Sequence, residues 1–137
     1  MIKIKLILLL SFLLSFITEA NESLDLLKLY KELHQNPELS FQEKETSERL
    51  SSILKKLGYE VTDNYGGYGV VAYLDNGKGK TILIRADMDG LPVKEETNVK
   101  YTSIKKSYNQ IGEEVYTMHA CGHDIHMAVL IGVAKKF

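Results

Sequence analysis

The stretch MHACGHDIH, residues 118–126, holds the chain's one cysteine and three of its four histidines. Thiolate and imidazole are the donors that zinc and its borderline-soft neighbours prefer. Cys121 and His123 lie two apart across Gly122. In an extended segment residues i and i+2 point the same way, so both side chains can converge on one ion. Gly122 lets the backbone approach closely or take a conformation that a Cβ would forbid. His119 sits on the same alternation, and His126 shares a face with His123 if a helix begins there. Two other readings use the same residues. A lone cysteine near an apolar helix can be a small buried hydrophobe, with the histidines as caps or surface groups. A Cys/His nucleophile needs a base that reaches it through the fold, and only His34 is remote in sequence. The crowding favours metal, although no second Cys or His pair completes a named zinc finger.

A second constellation is IRADMDGLP, residues 84–92. It follows an apolar run, which places it at a strand's C-terminal end, where α/β folds build their sites. Asp87 and Asp89 alternate with Met88 and could face one way. They could ligate metal, or hold a ligating histidine by its other N–H. The plain alternative is a solvated turn in which Arg85 pairs with a neighbouring Asp.

Helices and strands must position these groups. Leu26, Leu29, Tyr30 and Leu33 fall at i, i+3, i+4 and i+7, one helical stripe. Pro37 ends it. Ser40 and Glu43 fit a capping box for a second helix, whose stripe is Leu50, Ile53, Leu54 and Leu57, with Gly58 as the stop. The period then changes. YEVTD, YGVVAYL and TILIRAD read as strands, and Asn76-Gly77 suits a tight hairpin between the last two. The runs at 69–74 and 81–84 are continuously apolar, as in strands covered on both faces. Residues 93–113 read as loop, EEVYTM as one more strand, and HMAVLIGVA as a helix buried all round. Helix, helix, then sheet is an α/β layer architecture.

Composition narrows the class. In 137 residues, 17 basic side chains stand against 18 acidic ones, and the lysines are scattered. No basic stripe for nucleic acid exists. An apolar content of 45% argues against disorder. Met1–Ala20 carries Lys3 and Lys5, an apolar run over 6–17, then small residues at Thr18 and Ala20. That is the layout of a signal peptide cleaved after Ala20, and its run is short of the roughly 20 residues that span a bilayer. The mature domain, residues 21–137, is therefore expected to be exported, without stable membrane association after cleavage. In an oxidising compartment, a single Cys121 is buried, bridged to another molecule, or holding something.

HQNPELSFQE, LIRADMDGLP and MHACGHDIHMA, in this order, resemble the metal-dependent amidohydrolases of the aminoacylase and carboxypeptidase type. The likeness is greatest to the subgroup of hippurate hydrolases, N-acyl-amino-acid amidohydrolases and auxin-conjugate hydrolases. It runs from about Ser23 to Phe137. It implies an α/β catalytic domain with a mixed, helix-flanked sheet, of which this chain is the N-terminal part, without the lid and dimerisation domain. It makes Cys121 and His123 metal ligands, with Asp87, Asp89, His119, Asp124 and His126 supporting them. His34 and Glu38 match the early motif and read as structural, with no charge partner visible. Ile125 and Gly90 stand where glycine and alanine are frequent, both mild departures.

The implied reaction is hydrolysis of the amide of an N-acyl amino acid or related conjugate. Zinc is the expected metal, with manganese or nickel as alternatives. The resemblance places the general-base glutamate and further ligands beyond Phe137. This chain is thus expected to be a truncated, inactive and poorly soluble fragment, with a homodimer open to a full-length chain alone. A non-catalytic exported metal-binding module is the alternative, and a membrane-anchored stub retaining residues 1–20 a third.

Overall fold

The computed structural model describes residues 26–137. The expected signal peptide lies outside the described residues. Helix α1 covers 26–35. It is followed by α2 (Lys44–Lys56), strands β1 (Glu60–Tyr65), β2 (Gly69–Tyr73), β3 (Lys106–Tyr108) and β4 (Glu114–Tyr116), and helix α3 (His123–Ala134).

The two leucine stripes do what their period demands. Leu29 and Leu33 of α1 and Leu50 and Leu54 of α2 are buried with Met127, Ile131 and Ala134 of α3 in one core. Each such leucine contributes about 1.5–3 kcal/mol by leaving water. Leu26, Ile53 and Leu57 pack at its margin. Helix α2 stops where expected: Gly58 takes φ 90°. Its N–H donates to the Lys55 carbonyl at 3.1 Å, and the Tyr59 N–H to Leu54 at 3.1 Å. Those two bonds close the last turn on carbonyls that would otherwise lack donors.

The start of α2 differs from expectation. Neither Ser40 nor Glu43 caps it. The Glu38 carboxylate does, accepting from the backbone N–H of Glu45 at 3.2 Å and of Thr46 at 2.7 Å. A negative side chain there meets both the free donors and the positive end of the helix dipole. Helix α3 is buried on one face, against α1 and α2, while Val129 and Ile125 are exposed. It is not covered all round.

The β elements form two separate antiparallel hairpins, β1–β2 and β3–β4. Val61, Val70 and Ala72 of the first lie against the helical core. Its turn uses Gly66 and Gly67 at positive φ. β4 falls within EEVYTM as expected, but its partner β3 lies inside the stretch read as loop. Three residues with one half-buried position carry no legible alternation. TILIRAD is not a strand among the described residues. Ile82 and Leu83 are 80% and 88% exposed, and β2 finds its partner in β1 instead. The expected hairpin at Asn76-Gly77 is absent accordingly. The Asp75 side chain closes a local turn there, accepting the Gly77 N–H at 3.0 Å. β-propensity needs a neighbour to hydrogen-bond, and here none is supplied.

Three remote segments come side by side near the core. The Gly90 N–H donates to the Glu38 carbonyl at 2.6 Å, and Leu91 and Met118 exchange bonds of 2.8 and 3.0 Å. Gly90 permits the approach, since a Cβ there would lie 2.8 Å from Pro37 Cβ.

Candidate metal centre

The turn at 119–122 is closed by the Gly122 N–H on the His119 carbonyl at 3.2 Å. Gly122 itself sits in the left-handed region at φ 78°, where a Cβ is costly. Helix α3 starts immediately after, so His123 and His126 occupy its first turn. Their ring centroids are 6.3 Å apart.

His123 is oriented by Asp89. Its Nδ1 lies 2.9 Å from the Asp89 carbonyl oxygen and 3.1 Å from Asp89 Oδ1. A carbonyl can accept but not donate, so Nδ1 carries the proton. In the neutral ring Nε2 then keeps its lone pair, which is the form a metal requires. The other oxygen of Asp89, Oδ2, accepts the Ser40 hydroxyl at 2.7 Å. Asp87, by contrast, is exposed and paired with Arg85. The two aspartates that alternate alike in sequence thus have different surroundings, Asp87 taking the solvated ion pair.

Cys121 is a free thiol, and exposed. Of its expected fates, burial as a small hydrophobe is removed. His119 is buried, 4% exposed, and neither of its ring nitrogens makes a hydrogen bond. Burial is the main influence on it, and its pKa is held below the ordinary imidazole value, with His123 and His34 acting the same way against the pull of Asp124.

Asp124 faces away from His123, towards α1. Its Oδ2 lies 2.6 Å from His34 Nδ1, while His34 Nε2 is 3.0 Å from Glu95 Oε1. Burial draws the His34 pKa down, but hydrogen bonds and charges from Glu95 and Asp124 outweigh it and the pKa is raised. For Glu95, burial pushes the pKa up. Hydrogen bonds from the Thr97 hydroxyl, the Ser103 N–H and His34 overcome that and hold it low. A buried imidazolium between two carboxylates results. His34 therefore has two charge partners, where the sequence showed none. Glu95 went unnoticed because it lies in a polar stretch without period. Its one signal was a buried position that only the fold reveals.

The donor chemistry of Cys121 and His123, the fixed ring of His123 and the orphaned nitrogens of His119 fit a divalent metal. Among the described residues, however, no three His, Cys, Asp or Glu side chains gather closely enough to hold an ion. What is built is a partial donor set on a supported turn. No helix among the described residues is long and apolar enough to cross a membrane.

Known proteins resemble this chain. The profile of peptidase family M20/M25/M40 matches residues 83–137. A thermostable carboxypeptidase 2 of Saccharolobus solfataricus is 41% identical over 111 residues, covering 80% of this chain and 26% of that protein. The hippurate hydrolase of Campylobacter jejuni is 43% identical over 109 residues, 79% of this chain and 26% of its own length. An N-acetylcysteine deacetylase of Bacillus subtilis is 40% identical over 111 residues, with 80% and 27% covered. Among solved structures, a Bacillus subtilis protein described as a dinuclear metal binding peptidase from the M20 family aligns with TM-score 0.71 and 38% identity. That alignment covers 86% of this chain and 31% of the other. The chain thus spans about a quarter of the length of the curated relatives it matches.

Proposed function

This chain belongs to peptidase family M20/M25/M40, and on that premise we propose that it supplies the metal-binding turn of an enzyme hydrolysing amides. The substrates would be N-acyl amino acids or related conjugates. The relatives named hippurate hydrolase and N-acetylcysteine deacetylase support that class. Cys121 Sγ and His123 Nε2 are the donors. Zinc suits a thiolate–imidazole pair, with manganese or nickel as alternatives. A solved relative described as dinuclear supports two ions.

The metal, when bound, polarises the substrate carbonyl and lowers the pKa of a water toward neutrality. The chain's own residues prepare for it. Asp89 holds the proton of His123 on Nδ1. Gly122, the residue at the helix N-cap, turns the backbone between Cys121 and His123. His119, Asp124 and His126 surround the turn, Asp124 tying it to α1 through His34. Two donors fall short of the three protein ligands a catalytic zinc takes. The 137 residues alone are therefore proposed to bind metal weakly and to lack turnover. The protein is also proposed to be exported after loss of residues 1–20, without stable membrane association, and a specific homodimer is proposed for a full-length chain alone.

The observation that carries the reading is the hydrogen bond of His123 Nδ1 to Asp89, which leaves Nε2 available. Cobalt titration tests it. A thiolate-to-cobalt absorption band in the near ultraviolet is expected, lost in Cys121→Ser and weakened in His123→Ala. No band in the wild type would remove the metal reading. A band together with zinc-raised thermal stability, but no hydrolysis of hippurate even by a longer protein containing this sequence, would leave the non-catalytic binding module.

A further inference from the structure

We propose that Ser40 is a positioning residue for His123, acting through Asp89; its relevance to metal rests on the functional reading above, while its effect on the ring does not. The sequence offers Ser40 as a helix cap. The fold gives that work to Glu38, whose carboxylate takes the N–H groups of Glu45 and Thr46. The Ser40 hydroxyl donates instead to Asp89 Oδ2 at 2.7 Å, across 49 residues of sequence.

The backbone makes this contact a designed one. Leu39 and Gly90 form a parallel bridge, fixed by the 2.6 Å bond from the Gly90 N–H to the Glu38 carbonyl. Ser40 and Asp89 lie next to that bridge on their two segments, and the Ser40 hydroxyl reaches Asp89 Oδ2 diagonally across it. Asp89 Oδ2 is held by Ser40, while Oδ1 stands 3.1 Å from His123 Nδ1, whose proton goes to the Asp89 main-chain carbonyl at 2.9 Å. With one oxygen hydrogen-bonded, the carboxylate is restrained beside the imidazole.

The choice of partner also matters. Arg85, the basic group in the same segment, is occupied by Asp87. A cation on Oδ2 would draw charge off the carboxylate. A neutral hydroxyl orients it and leaves its charge beside the imidazole at Oδ1. Ser40 is thus the outer member of a Ser40–Asp89–His123 relay.

The test uses the full chain, with Ser40→Ala and the conservative Ser40→Thr. Ser40 is exposed, so neither change disturbs the core, and thermal melts verify it. Nitrogen-15 NMR of the metal-free protein reads the His123 ring. The wild type is expected to show one tautomer with the proton on Nδ1. Ser40→Ala is expected to shift the His123 ring signals as the Asp89 carboxylate beside the ring moves, while the main-chain carbonyl keeps the proton on Nδ1, and Ser40→Thr to restore the wild-type shifts. Cobalt affinity is expected to fall about tenfold in Ser40→Ala and to recover in Ser40→Thr. An unchanged His123 ring signal in Ser40→Ala overturns the proposal. If the wild type binds no cobalt, the metal reading fails, and the ring signal alone still decides the role of Ser40.

Discussion

His34 and Asp124, ninety residues apart in sequence, meet at 2.6 Å inside the protein, and Glu95 closes on the opposite nitrogen of the same ring. This buried link ties helix α1 to the first turn of α3, one residue from His123. Removing the imidazole leaves two buried carboxylates without their cation. His34→Ala is expected to cost about 3–5 kcal/mol in urea unfolding, the range for breaking a buried ion pair from one side. A loss below about 1 kcal/mol would show that the carboxylates find water or protons without difficulty.

The same link sets a pH dependence. The folded pKa of His34 is raised above its unfolded value of about 6.5. Its contribution is fully present below that value and is lost as pH rises through the raised folded pKa. His119, buried with a lowered pKa, works in the opposite sense, so the total profile mixes the two. The difference in stability between wild type and His34→Gln isolates His34. It is expected to be widest below about pH 6.5 and to narrow in alkaline solution. A constant difference from pH 5 to 9 would contradict an ion pair at this position.

Asp87 and Asp89 are separable by experiment. Asp89→Asn is expected to weaken zinc binding about tenfold, since it removes the carboxylate charge 3.1 Å from His123 Nδ1 while the main-chain carbonyl still accepts the Nδ1 proton. Asp87→Asn touches only the pair with Arg85 and is expected to leave affinity within about twofold, since exposed ion pairs contribute little. Competition titration against a zinc chelator measures both. Equal effects would mean the aspartates act alike.

Glu38 can be tested as the cap of α2. Glu38→Ala removes the acceptor of two backbone N–H groups and is expected to cost about 1 kcal/mol, within the range for loss of a helix cap. Ser40→Ala is expected to cost less in stability, having no capping duty. Chemical denaturation that ranked them in reverse would return the cap to Ser40.

Ile82 and Leu83 stand almost wholly in solvent, on backbone with no strand partner among the described residues. Such an apolar run invites pairing with another chain. A double change, Ile82→Lys with Leu83→Lys, is expected to reduce concentration-dependent association in sedimentation velocity without lowering the melting temperature. A melting point that drops with the substitution would show the run to be packed rather than free.

Much of this molecule is local and was therefore legible. A helix bonds residue i to i−4 and buries a stripe with its own period, so α1 and α2, their leucine faces and the stop at Gly58 follow from short windows of sequence. The crowding of Cys121, His123 and two further histidines is local too, and it marked the turn as a candidate centre. The family resemblance extended that mark to RADMD and to the segment around His34.

What the sequence left open depends on partners distant along the chain. TILIRAD has the composition of a strand, yet a strand exists only where a neighbour completes its hydrogen bonds, and β2 takes β1. Asp87 and Asp89 are identical in type and alternate alike. Only the tertiary fold, which brings the Asp89 carbonyl to His123 and leaves Asp87 with Arg85, decides which of them holds His123. Ser40 looked like a cap until the path of the chain gave Glu38 the closer approach. His34 carried no visible partner because its two carboxylates lie 61 and 90 residues away. Periodicity reports which face an element buries. Which side chains meet across that burial is fixed by the packing of elements, and there tertiary structure alone decided.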